Sequence, residues 1–157
     1  HAWIAANTNP DDVTGTLSEA MRGADVFLGV SAPDVITEAD VESMAPDSIV
    51  FAMANPVPEI DPDIAARHAA VVATGRSDFA NQINNVLVFP GVFRGLIDSG
   101  VSHVDMDVLL AAADALADVV RDDERNATYI IPSVFHPDVS TVVADAVGAA
   151  VAAREGA

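Results

Sequence analysis

The sequence predicts an α/β chain: part of a doubly wound parallel sheet that lacks its first βαβ unit, followed by closing helices. Three observations carry this. The apolar runs ADVFLGV (24–30), IVFAMA (49–54) and VVATG (71–75) each stop abruptly at small and polar residues. Helix-start signals alternate with these runs at short spacing, the pattern of βα units around a parallel sheet. From Asn84 onward the pattern turns to helix alone. At 157 residues the length fits one domain, 1–157, with 101–157 as its closing helices.

In chain order, residues 1–8 read as a short helix or the tail of one, and Asn9-Pro10-Asp11-Asp12 as a turn. Thr16 with Glu19 three residues later fits a capping box that opens the helix LSEAMRG, with Gly23 at its C-terminal stop. The first strand ends at Ser31-Ala32-Pro33. Thr37 caps the next helix, whose first turn carries Glu38 and Asp40 where the positive end of the helix dipole favours acids. Asp47-Ser48 turns into IVFAMA. Asp61-Pro62 is a helix start, an N-cap with proline at the first helical position, and predicts a helix over DIAARHAA. VVATG is the third strand, closed by Gly75-Arg76-Ser77-Asp78. PGVFRGLIDSG then predicts a helix ending at Gly100. In VDMDVLLAAADALADVV, spacings of three and four place Met106, Leu109, Leu110, Ala113, Leu116 and Val120 on one side. In the last helix Val139, Val142, Val143, Ala146, Val147 and Ala150 do the same.

Composition narrows the function. Twenty-four acidic residues face seven basic ones, all arginine, for a formal net charge of −17. Phosphates would be repelled, which excludes a nucleic-acid binder. Lysine is absent and the acids are spread along the whole chain. That pattern fits either a merely acidic soluble protein or, the preferred reading, a protein of a salt-adapted cytoplasm, where counterions screen self-repulsion over a few ångströms. No apolar run reaches the roughly 18 residues of a membrane span, and cysteine is absent. The chain opens on His1 with no strand before it, which predicts that it is cut from something larger or trimmed to its ordered part.

Candidate ligand contacts lie at strand ends, where open parallel sheets bind their ligands. Asn55 follows IVFAMA, and its carboxamide offers a donor and an acceptor together, suited to a nicotinamide amide, a ribose or a carboxylate. The alternative is an Asn-Pro turn that only ends the strand. Asn84-Asn85 stand between apolar Ile83 and Val86 at the mouth of a helix. One can cap that helix; two amides in so apolar a setting point to a polar ligand. Ser31 ends its strand where a cofactor could be touched, or is a plain turn serine. Arg76 can bind an anion or pair with Asp78, and pairing is the preferred reading. His1, His68, His103 and His136 show no metal spacing and read as surface residues; Tyr129, within TYIIP, reads as core. A Gly-x-Gly-x-x-Gly loop, the pyrophosphate cradle of dinucleotide-binding domains, does not occur in the sequence.

GADVFLGVS, FAMANPVPEI, ATGRSDFANQINNVLVFPGVFRG and YIIPSVFHPDVS, in this order and spacing, resemble the malic enzymes, malate oxidoreductases that decarboxylate, of the shorter prokaryotic type. The likeness covers nearly all of 14–150. It implies a Rossmann-like domain and a complete subunit that oxidises malate to pyruvate and CO₂ with NAD or NADP and a divalent metal, Mg or Mn. It implies that the tyrosine, lysine, metal-binding carboxylates and glycine-rich loop precede this chain, which by itself is expected to be inactive. No catalytic residue and no metal ligand is therefore expected here. Carried over by motif, Ser31 and Asn55 are cofactor-side residues, Asn55 also faces malate, and one of Asn84 and Asn85 supplies an amide to malate's carboxylate. The implied partners are malate or pyruvate, the rest of the subunit, and further copies in a homo-oligomer of two or more. His136-Pro137-Asp138 departs from the acid-proline pair more usual in that loop. The rival readings are a non-catalytic ligand-binding or regulatory domain, and another nicotinamide-dependent dehydrogenase.

Overall fold

The computed structural model describes residues 2–155 of the chain, so His1, expected at the surface, lies outside the described residues. The chain divides into two compact units, His1–Gly75 and Arg76–Ala157.

The first unit is the sheet. Helix α1 (Ala2–Asn7) precedes α2 (Leu17–Met21), and the expected capping box is formed: Thr16 Oγ1 accepts from the Glu19 N–H, and the Glu19 carboxylate accepts from the Thr16 N–H at 2.7 Å. Gly23, at φ +70°, turns the chain out of the helix. Strand β1 (Val26–Gly29), α3 (Glu38–Glu42), β2 (Ile49–Ala52), α4 (Pro62–Ala65) and β3 (Val71–Thr74) follow as two consecutive βα units. Thr37 and Asp40 make a second capping box at α3. Asp61 caps α4, but α4 spans only four residues, so His68 lies in the turn after it and not in a helix.

The strands are parallel in the order β1-β2-β3, in a register that aligns Val26 with Ile49 and Val71, and Gly29 with Ala52 and Thr74. Aligned residues share a face. Phe27, Val50, Ala52 and Val72 therefore point the same way, into a cluster with Met21, Ile36, Val41, Met44, Ile60 and Ala65. On the opposite face of the edge strand, Val26 and Leu28 are exposed, as is Val30 just beyond it. The three strands finish in one row, so the loops after Gly29, Ala52 and Thr74 leave the sheet along one edge. That edge is the carboxyl end, as expected for a ligand-binding α/β sheet.

The second unit is helical. A 3-10 turn (Asn85–Leu87) leads into α5 (Phe89–Asp98), then α6 (Met106–Asp118) and α7 (Val139–Glu155). Their core gathers Leu87, Leu96, Val108, Ala112, Ala115, Val139, Val143, Val147 and Val151. Val139, Val143 and Val147 were expected to face inward and do; Val142 is exposed. Helix α6 corrects the expectation. Val108, Ala112 and Ala115 are buried, while Met106 is 65% exposed and Leu109 and Leu110 are half or more exposed. Nearly every position in this helix is apolar, so residue type does not identify its inner side. Tyr129 is half-buried, not core.

Candidate functional site

The loops at the carboxyl edge of the sheet are tied together by a residue that the sequence did not single out, Glu59. Its carboxylate is fully buried. One oxygen accepts the backbone N–H of Ser31 at 2.8 Å and the Ser31 hydroxyl at 3.3 Å; the other accepts the backbone N–H of Ala54 at 2.9 Å. The backbone reinforces the link: Asp34 N–H donates to Pro58 O and Ile36 N–H to Glu59 O, both at 3.2 Å. Burial pushes the Glu59 carboxyl pKa up, but the N–H donors of Ser31, Ala54 and Glu59 itself outweigh it and hold the group below the ordinary glutamate value, as an anion. Gly29 makes room, since a Cβ there would lie 2.5 Å from the carboxyl carbon of Glu59. Two sequence signals could have flagged this contact without locating its partners: an acid set between apolar Pro58 and Ile60, and a glycine inside a strand, which often marks a close approach.

Ser31 and Asn55 thus sit on neighbouring loops held by one carboxylate, and both residues are exposed. The Ser31 hydroxyl is engaged by Glu59. Asn55 follows Ala54 directly, and its side-chain amide has no partner among the described residues. The Asn55–Pro56 peptide is cis.

In the second unit the two adjacent amides differ. Asn84, extended at φ −147° and ψ 131°, caps the 3-10 turn: its side-chain oxygen accepts the Val86 N–H at 3.0 Å. Asn85 opens the turn, is exposed, and its side chain has no partner among the described residues. Arg76 pairs with Asp78 through two hydrogen bonds of 2.9 and 2.5 Å and lies over the Phe79 ring, as the preferred reading had it. The segment after it meets the YIIPSVF loop around a pocket of about 500 Å³ lined by Phe79, Gln82, Tyr129, Ile131 and Phe135. Asn81 closes the base of that contact by donating to Ala127 O at 2.8 Å and accepting the Ile130 N–H at 2.9 Å.

His68 sits 3.1 Å from Glu38, His103 sits 3.1 Å from Arg154, and His136 Nδ1 accepts the Asp138 N–H at 3.3 Å in its turn. Among the described residues no group of three or more acidic or histidine side chains could hold a metal ion. The described residues therefore do not fit the divalent cation that the resemblance implies, whose ligands it places outside this chain. Asn55 presents an unengaged donor and acceptor at the carboxyl edge of the parallel sheet, where such sheets bind their ligands.

Comparison with known proteins identifies the family and agrees with the fold. The family model of the malic enzyme NAD-binding domain matches residues 5–152. The chain is 57% identical over 140 residues to the NAD-dependent malic enzyme of Geobacillus stearothermophilus, covering 89% of this chain and 29% of that protein. It is 49% identical over 148 residues to the bifunctional malic/malolactic enzyme of Bacillus subtilis, covering 94% and 36%. The crystal structure of the malic enzyme from Pyrococcus horikoshii superposes with a TM-score of 0.88 at 42% identity, over 98% of this chain and 36% of that one. The chain thus spans between 29% and 36% of the length of these three relatives. The sheet, the strand-end loops and these matches together place the chain in the family of malic enzyme NAD-binding domains.

Proposed function

We propose that this chain is the second half of the cofactor domain in an NAD(P)-dependent malic enzyme, and that the complete subunit converts malate to pyruvate and CO₂. The observation that carries the reading is the strand-end pair of an unengaged Asn55 amide and a tethered Ser31, in a chain of this family. The nicotinamide group, when bound, supplies the hydride acceptor. Asn55 orients it by giving its carboxamide a donor and an acceptor, and also faces malate. Ser31 lies along the cofactor. A neutral amide from Asn85 orients a malate carboxylate without adding charge, which helps to hold the C2 hydrogen at near-attack distance. Asn85 is preferred to Asn84 because the Asn84 oxygen is already engaged in capping.

The acid, the base, the Mg or Mn site and the pyrophosphate loop belong, in this proposal, to residues outside the chain. Both units are parts of one domain, and the chain alone is inactive. The complete protein works as a homo-oligomer in the cytoplasm of a salt-adapted cell, a reading supported by the net charge of −17 and the absence of lysine.

In the complete enzyme Asn85→Ala is expected to lower kcat/KM for malate about tenfold or more, a loss of roughly 1.4 kcal/mol. Asn84→Ala is expected to cost turn stability, about 0.5–2 kcal/mol, with a smaller kinetic effect. Unchanged malate kinetics in both variants would remove the pair from the site.

A further inference from the structure

We propose that Glu59 is a positioning residue: through Ser31 and Ala54 it sets the spacing and direction of the two loops that carry Ser31 and Asn55, and so orients the groups facing the cofactor. The inference rests on the functional reading above and adds a residue to it.

Burying a carboxylate costs several kcal/mol unless it is well paired. Among the described residues no arginine pairs with Glu59; its hydrogen bonds lead to Ser31, Ala54 and the local backbone. The placement of those donors is informative. Ser31 lies two residues beyond β1, Ala54 two beyond β2, and Asn55 is next to Ala54. A single carboxylate therefore spans both loops, with one oxygen assigned to each. The demand is chemical as well as steric. Both donors are N–H groups, so the bridging side chain must accept at both ends. A glutamine offers one accepting oxygen, and its NH₂ would face one N–H donor to donor. An aspartate is one methylene too short to reach both. The close seat of Gly29 against the carboxyl group, with its virtual Cβ 2.5 Å from Cδ and 2.6 Å from Oε1, shows that the strand leaves space for this group and little more.

A buried acid that only stabilised the first unit would look different in a controlled comparison. Asp40 supplies the control: it is also a buried carboxylate of the same unit, 8% exposed, but it caps α3 through Thr37, at the far end of the first loop from Ser31, and has no hydrogen bond to Ser31, Ala54 or Asn55. The experiment uses the complete enzyme in four forms: wild type, Glu59→Gln, Gly29→Ala and Asp40→Asn. Each is assayed for malate oxidation well below its melting temperature, and titrated with NADH and NADPH by nucleotide fluorescence. Backbone amide exchange is followed at Ser31 and Ala54. Glu59→Gln and Gly29→Ala are expected to weaken dinucleotide binding about tenfold or more and to speed exchange at Ser31 or Ala54 by a similar factor. Asp40→Asn is expected to lower the melting temperature while leaving nucleotide affinity and malate kinetics at wild-type values. If Glu59→Gln fails to fold, Gly29→Ala decides alone, since its methyl displaces the carboxylate without changing it, the other close neighbour being the edge of the Phe27 ring at 2.8 Å. Wild-type affinity and exchange in Gly29→Ala or Glu59→Gln overturn the proposal, as does a loss that Asp40→Asn matches. A wild-type enzyme that binds dinucleotide but does not oxidise malate would overturn the malate reading instead, and the titrations would still judge Glu59.

Discussion

Helices α5 and α7 cross where α5 carries Gly91 and Gly95. A Cβ on Gly95 would lie 2.6 Å from Ala144 O and 2.8 Å from Val147 Cβ; one on Gly91 would lie 2.6 Å from Val143 Cβ and 2.8 Å from Ser140 O. Gly148, in the same helix α7, is different: an added Cβ would meet only Ser99 Oγ, at 3.7 Å. Helix propensity alone favours alanine over glycine by roughly 1 kcal/mol at a helix interior. At Gly148 that gain stands, and Gly148→Ala is expected to stabilise by about 0.5–1 kcal/mol. At Gly95 the new methyl meets a backbone carbonyl, which no rotamer change can move, and overpacking of this kind costs about 1–3 kcal/mol. The steric cost exceeds the propensity gain, so Gly95→Ala is expected to destabilise by about 1–2 kcal/mol net. At this chain size each kcal/mol shifts the melting temperature by about 2–4 °C. Thermal and urea melts followed by far-UV circular dichroism should therefore move in opposite directions for the two variants. A Gly95→Ala protein that gains stability as Gly148→Ala does would refute the close approach of α5 and α7.

Two further outcomes follow from charge. Self-repulsion at a net charge of −17 weakens when salt shortens the screening length from about 30 Å at 0.01 M to about 3 Å at 1 M, so the melting temperature is expected to climb by several degrees over that range. A flat or falling melting temperature would count against salt adaptation. Asp105 caps α6 by accepting the Val108 N–H at 3.0 Å and pairs with Arg154 in the last turn of α7. First the Val108 N–H, then the Arg154 guanidinium and the nearby His103, hold its carboxyl below the ordinary aspartate value. A lowered folded-state pKa means that the contribution to stability is complete above about pH 4, the unfolded value, and is lost as pH falls through the depressed one. Asp105→Asn keeps a capping oxygen and removes only the charge. The stability gap between wild type and variant is therefore expected to hold from pH 5 to 7 and to close under stronger acid; a gap that persists to pH 2 would contradict this.

What the sequence disclosed was mostly local. Thr16 with Glu19 and Asp61 with Pro62 announce helix starts within a few residues, and the structure has both. The three strands were visible because each apolar run ends in polar or small residues. Pairing of Arg76 with Asp78 was legible because only one residue separates them. The features that escaped depend on residues far apart in the chain. Glu59 reads as one more acid until the N–H groups of Ser31 and Ala54 are seen around it. The inner face of α6 was hidden because Leu109 and Leu110 look as core-like as Val108 and Ala112; what decides is which side meets its neighbours. The division between Asn84 and Asn85 follows from a turn of three residues, too short to leave a periodic trace.

The first unit keeps the charge of Glu59 apart from the many on its surface. The surface carboxylates exchange their counterions with the medium, and their mutual repulsion rises and falls with the brine around them. The Glu59 carboxylate has no contact with water and answers only to a few peptide dipoles fixed by the fold. Ionic strength can thus alter how readily the chain unfolds while leaving the joint between Ser31 and Ala54 at constant strength.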